Sequence, residues 1–205
     1  MTRWFARLVL LALSVVPAVA GAAPALESTR ALTAGLARTG RAEAMLSWSV
    51  AAPTGGGTRS LQGSLALEPP DRARLDVRGT GERITLRADG GEWLQPRQGQ
   101  MVRLTPRHSV AALRWWRLLA SGSGATERRL GTRRWRLTML ASGGLDADSC
   151  DVQLDARGLP SRLELPDGMG GRQVYTLAAW RFSKPKGDSA FRLTPPAGVE
   201  VVEMP

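Results

Sequence analysis

The most constraining stretch of the sequence is Arg72–Ala88, where charge and hydrocarbon alternate residue by residue. Ala73, Leu75 and Val77 alternate with Arg72, Arg74, Asp76 and Arg78. Beyond Gly79-Thr80-Gly81, Ile84, Leu86 and Ala88 alternate with Arg83, Thr85 and Arg87. A period of two sends successive side chains to opposite faces of an extended chain. Asp89-Gly90-Gly91 then makes a tight turn into Trp93-Leu94, and another short strand holds Val102 and Leu104. Consecutive hairpins with arginine out and aliphatic in describe an antiparallel sheet with one wet face and one dry face.

The same period governs most of the chain. Leu46, Trp48 and Val50 share a face, as do Leu61, Gly63, Leu65 and Leu67, with a turn at Pro53–Gly57 between the two runs. Later, Trp135, Leu137 and Met139 alternate with Arg134, Arg136 and Thr138. Extended segments follow at Asp151–Asp155, Arg162–Leu165, Val174–Phe182 and Phe191–Val202, and Gly122–Thr126 is expected to be a link. Two stretches have helical spacing instead. Glu27–Arg38 carries Leu32 and Leu36 and stops at Thr39-Gly40. Ser109–Ser121 places Arg114, Arg117 and Ser121 on one narrow stripe, together with Val110. Its remaining circumference is apolar: Ala111, Leu113, Trp115, Trp116, Leu118, Leu119 and Ala120. A helix resting on a sheet needs an apolar stripe of roughly 100°. This one has about twice that, so it is either a thoroughly buried core helix or the cover of an apolar concavity. The expected fold is mainly β (α+β), with roughly ten or eleven up-and-down strands. They form a strongly curved sheet or incomplete barrel, with both helices on its concave side.

Residues 1–22 read as a cleaved signal peptide. Arg3 and Arg7 precede the apolar run Leu8–Val16, which is too short for a bilayer anchor, and Pro17 breaks it. Ala18-Val19-Ala20 and Ala20-Gly21-Ala22 both fit a small-x-small cleavage site, so the exported chain starts near Ala23 and residues 23–205 form one domain. Export leads to the periplasm. The formal charge is +10, two units of which belong to Arg3 and Arg7. An exported chain with dispersed arginines is not expected to bind nucleic acid; the charge suits a solvated face or one presented to anionic lipid. One cysteine, Cys150, permits no internal disulfide.

Catalysis finds little support. His108 is the only histidine and lies at the helix entrance, so a His-rich metal site is excluded. Nothing in the spacing pairs it with Cys150, which reads as a small core residue. Asp146, Asp148 and Asp151 lack the glycine and distal glutamate of a calcium loop and read as a polar turn. Gly90-Gly91 and Gly170-Gly171 sit between strands, so neither is a phosphate loop. The chain is expected to be neither an enzyme nor a binder of cofactor or metal. What remains is apolar surface: six of seven tryptophans lie beyond the leader. A concave sheet lined by Trp48, Leu65, Leu75, Val77, Ile84, Leu86 and Trp93 faces Leu113, Trp115, Trp116, Leu118 and Leu119 of the helix. Such a concavity could hold acyl chains, each buried CH₂ contributing about 0.8 kcal/mol.

Several motifs resemble the periplasmic lipoprotein carrier LolA and its relatives. Phe191-Arg192-Leu193-Thr194-Pro195-Pro196-Ala197-Gly198-Val199 resembles the family's Phe-x-x-Thr-Pro-Pro-x-Gly-Val ending. Gly63–Pro70 with Arg74-Leu75-Asp76 resembles its second and third strands, and Asp89-Gly90 with Trp93-Leu94 its Asp-Gly hairpin. Gly158–Leu165 resembles a late strand. The resemblance implies an unclosed β half-barrel with Ser109–Ser121 as its lid, and a cavity for the acyl chains of lipoproteins or lipids. It also implies handover from an inner-membrane ABC lipoprotein-releasing complex to an outer-membrane receptor; the exported chain itself is expected to be a soluble monomer. The same fold serves, alternatively, as a sensor or regulatory module that docks an envelope protein without cargo. Where many carriers have an arginine that holds the lid, before the proline ending the second strand, this chain has Pro69. Arg72 and Arg74 are the replacement latch candidates.

Overall fold

The computed structural model describes residues 26–51, 58–140, 148–166 and 172–204. The expected leader, the expected turn at Pro53–Gly57, Asp146 and Gly170-Gly171 lie outside them. A 3-10 turn at Glu27–Thr29 leads into α1 (Arg30–Thr39), which ends at Gly40 in the left-handed region (φ 86°) with its N–H on the Leu36 carbonyl (2.7 Å). Six strands follow: β1 (Arg41–Ala51), β2 (Thr58–Glu68), β3 (Arg72–Val77), β4 (Arg83–Arg87), β5 (Gly90–Gln95) and β6 (Gln100–Leu104). After α2 (Pro106–Ser121) come β7 (Ala125–Gly131), β8 (Arg134–Met139), β9 (Ser149–Leu154), β10 (Pro160–Pro166) and β11 (Arg172–Ser183). A 3-10 turn at Asp188–Phe191 and β12 (Glu200–Glu203) end the chain.

All twelve strands form one sheet in the order β12-β6-β5-β4-β3-β2-β1-β11-β10-β9-β8-β7. Two meanders, β1–β6 and β7–β11, therefore join through the antiparallel pair β1–β11, and α2 is the crossover between them. The two outer strands, β12 and β7, do not pair, so the barrel is unclosed. At the junction β11 carries an extra residue between the pairs Ala178–Met45 and Arg181–Glu43, with Ala179 at φ 52°. The bulge keeps Trp180 on the inner face, where its indole N–H donates to the Pro160 carbonyl (2.7 Å).

Cross-strand neighbours show how the dry face is assembled. Leu65, Leu75, Ile84, Trp93 and Val102 form one inward row, and Trp48, Tyr175, Leu163, Val152 and Trp135 another. Both helices pack on this face, α2 against β2–β6 and α1 against β1, β11 and α2. A single contiguous core runs from Leu65 and Leu86 through Leu113, Trp115, Trp116 and Leu119 to Leu137, Val152 and Leu163.

Three expectations need correction. The sheet has twelve strands, the additional one being β7, read above as part of a link. β7 is an edge strand exposed along most of its length, so no apolar alternation marks it. Not every pairing is antiparallel: β12 returns parallel to β6. The arginine face, finally, is not simply wet. The chain from Asp188 onward crosses the outside of the first meander, Phe191 is fully buried there, and Arg41, Glu68, Thr85 and Arg87 are buried beneath it. Arg74 Nη1 donates to the Ala190 carbonyl (2.9 Å) and Arg87 Nη1 to the Phe191 carbonyl (2.5 Å). Arg41 and Arg72 flank the Phe191 ring at 5.5 and 5.8 Å.

Candidate functional site

The candidate site is the concave face under α2. The only proline of this helix, Pro106, occupies the first turn, where a missing N–H costs nothing. Thr105 is the N-cap: its hydroxyl accepts from the His108 N–H and lies 2.8 Å from His108 Nδ1, so His108 serves the helix entrance. The helix therefore begins three residues before the expected Ser109. Ser109 is itself buried; its hydroxyl is shared between the Arg87 and Gly90 carbonyls (2.7 and 2.9 Å), pinning the start of α2 to the β4–β5 hairpin. At the other end Gly122 adopts φ 66° and donates to the Leu118 carbonyl (2.8 Å).

Between these anchors α2 turns Leu113, Trp115, Trp116, Leu118 and Leu119 inward, all of them buried, and leaves Val110, Ala111, Arg114 and Arg117 exposed. Both indoles thus point into the interior. Trp116 meets Tyr175 of β11 edge to face (ring centroids 5.4 Å, 84°), and Tyr175 in turn lies 6.2 Å from Trp48. Burial raises the Tyr175 phenol above its ordinary pKa. The structure brings Leu65, Leu75, Ile84, Leu86, Leu113, Trp115, Trp116, Leu118 and Leu119 into one packed cluster, with Trp48 reaching it through Tyr175. Val77 is buried outside that cluster, and Trp93, half-buried, is not part of it either; its indole N–H donates to Glu82 Oε2 (3.1 Å).

Arg72 and Arg74 stand elsewhere. Both point to the convex side, Arg72 pairing with Glu68 and Asp188, and Arg74 with Asp76 (3.0 Å). A residue on one face of a strand cannot reach a helix packed on the other, so neither is the latch. The contact to the lid runs with opposite polarity. Arg117 of α2 pairs with Asp71 in the β2–β3 turn (2.8 Å), and Arg114 pairs with Asp148 at the entry to β9. One ion pair thus ties the lid to each meander. Asp71 follows Pro69-Pro70 directly, which was the only sequence signal for it. A cleft of about 510 Å³ runs along this side of α2, between Pro69 and Pro70 on one wall and Met139 and Leu140 on the other. Its size lies within the range of small-molecule sites, and Leu140 is among the most exposed large apolar side chains.

No cluster of three or more potential metal ligands occurs among the described residues. Asp148 and Asp151 are engaged with arginines. Cys150 is buried and far from carrying a thiolate: desolvation pushes its pKa up to about 12. Among the described residues no helix is long and apolar enough to cross a membrane.

These features define the class: an unclosed, twelve-stranded half-barrel whose concave face is capped by an amphipathic helix. Both fold properties that the motif resemblance implied, the open barrel and the helical lid, are present. No protein-family model and no curated protein matches the chain. Among solved structures it is similar to an uncharacterized conserved protein from Thermus thermophilus, at 14% identity and a TM-score of 0.52, over 87% of this chain and 98% of that one. A LolA superfamily protein from Nitrosomonas europaea aligns at 9% identity and a TM-score of 0.43, over 80% of this chain and 97% of that one.

Proposed function

We propose that this chain is a periplasmic carrier that shields the acyl chains of lipoproteins, or of lipids, beneath α2 during transfer from the inner to the outer membrane. The observation that carries the reading is the way α2 is held. Its apolar face fills the concavity of an open sheet, while Arg117–Asp71 and Arg114–Asp148 tie down its polar side. Partly exposed ion pairs of this kind contribute about 0–1 kcal/mol each, so they are weak fastenings. Acyl chains entering the concavity would replace indole and leucine contacts with equivalent hydrocarbon contacts, which makes exchange between the closed and loaded states nearly balanced. The motif resemblance to LolA supplies the cargo class, the releasing complex and the receptor. No catalytic group is needed for this work.

The interior is already well packed, Leu65 and Leu119 being wholly inaccessible, and this favours one other reading: a module of the same fold that docks an envelope protein and carries nothing. Native mass spectrometry of the protein purified from periplasm without detergent separates the two. An added mass equal to a lipid or a triacylated lipoprotein is the expected result. A clean apo mass, together with failure of the protein to bind any acylated ligand offered to it, overturns carriage.

A further inference from the structure

The convex face is divided into two unlike halves. Over the first meander the C-terminal segment lies on the arginines, and Arg41, Arg72, Arg74 and Arg87 are each matched to acidic neighbours: Glu43 and Glu68, Asp188, Asp76, and Asp89 and Glu92. Over β7–β11 no segment covers the sheet among the described residues. Register places two rows of side chains side by side there. One runs Arg128, Arg136, Asp151, Glu164, Val174; the other runs Arg134, Gln153, Arg162, Thr176. Arg172 lies beyond them at the start of β11 and reaches Glu164.

Four guanidiniums on this face therefore share two carboxylates, and a fifth, that of Arg128, stands beside them. Asp151 receives both Arg134 (2.9 Å) and Arg136 (2.7 Å); Glu164 receives both Arg162 (2.9 Å) and Arg172 (3.2 Å). Arg128 has no acidic neighbour across its row. The carboxylates do not neutralise the face; they hold the arginines upright in a fixed array. The four paired guanidiniums remain 38–64% exposed, which leaves N–H groups free on each for a second partner. Guanidinium groups match the oxygens of phosphate in a forked geometry. Protein interfaces, by contrast, are centred on aromatic or large aliphatic anchors, and Val174 is the only apolar side chain in the two rows. A wet, phosphate-seeking face without an apolar anchor suits an anionic headgroup surface better than a protein partner.

We infer that the convex face of β7–β11 is a docking surface for an anionic phospholipid bilayer, with Arg128, Arg134, Arg136, Arg162 and Arg172 contacting headgroup phosphates. This goes beyond carriage and does not depend on it, since the face lies on the opposite side of the sheet from α2. Docked in this way, the protein keeps its lid and cleft turned away from the headgroups while it waits at a membrane.

The test is vesicle co-sedimentation of the chain from Ala23 onward, which contains every described element. Vesicles of phosphatidylcholine with phosphatidylglycerol are compared with phosphatidylcholine alone. Binding is expected only to the anionic vesicles and is expected to fall with added salt. The double variant Arg128→Gln/Arg172→Gln leaves each carboxylate at least one arginine and should weaken binding by roughly 10- to 30-fold. A second variant, Arg83→Gln/Arg103→Gln, removes the same net charge from the first meander and should bind as the unaltered protein does. Equal losses in the two variants would reduce the effect to net charge and overturn the assignment of a face. Equal binding to both kinds of vesicle, or no loss in the first variant, also overturns it. Absence of vesicle binding alongside capture of an acidic protein through the same arginines would hand the face to a protein partner instead.

Discussion

Cys150 sits on the inward side of β9 opposite Leu137, where solvent does not reach it. With its pKa pushed up to about 12, the thiol reacts only from an opened state. Labelling with a chromogenic disulfide should be slow in buffer and complete within the dead time in denaturant; fast native labelling would show that the β8–β9 layer opens readily. Asp151 behaves oppositely. Hydrogen bonds from Arg136, then Arg134, hold its carboxyl below the usual range despite burial. A carboxylate depressed in the folded state stabilises it above the unfolded pKa of about 4 and loses that contribution as pH falls through the folded value. Asp151→Asn should cost about 1–2 kcal/mol at pH 7 by urea titration, and the gap to the unaltered protein should close as the pH falls below about 4. Gly35 illustrates a third case. In a helix interior alanine normally outranks glycine by about 1 kcal/mol. A Cβ at Gly35 would stand 2.2 Å from the Phe182 ring, so Gly35→Ala should lower the melting temperature instead.

At the scale of elements, α2 combines a strong attachment and a weak one. Leu119→Ala removes a fully buried side chain and should cost about 2–5 kcal/mol, measured as a shift in the unfolding midpoint. Arg117→Gln cuts only a half-exposed pair and should change global stability by less than about 1 kcal/mol. On the carrier reading it should still hasten lid opening, seen as greater quenching of Trp115 and Trp116 by acrylamide; unchanged quenching would mean that the pair does not restrain the lid. The buried face of α2 was legible in the sequence because two neighbouring indoles and three leucines at helical spacing have one outcome in water. β3 was legible because it buries alternate residues, and β4 because apolar and polar residues alternate along it, even though Thr85 and Arg87 are buried as well. β7 was not, since an edge strand needs no apolar period. The ion pair that reaches α2 was not legible for a related reason: strand parity sends Arg72 and Arg74 away from the helix, whereas Asp71 becomes visible only once the turn has brought it beside Arg117.

At the scale of the molecule, the sheet is fastened on one side only. The segment from Ser183 to Glu200 leaves the central strand β11, passes outside β2–β5 and rejoins the sheet at its far rim, where β12 pairs with β6. Phe191 serves as its rivet, gripped by Arg41, Arg72 and the Arg87 bond to its carbonyl. The sequence disclosed the ending that resembles the carrier family's but not this path, because the extended reading of Phe191–Val202 does not say which face of the sheet the segment crosses. A strip stitched to a bent sheet at the middle and at the edge fixes the radius between those stitches. The first meander is thus a splinted wall, and the second, beyond the β1–β11 seam, has no such splint among the described residues. If a bulky passenger must be let in, the gape opens on the side of β7–β10, and the unsplinted wall sets how wide.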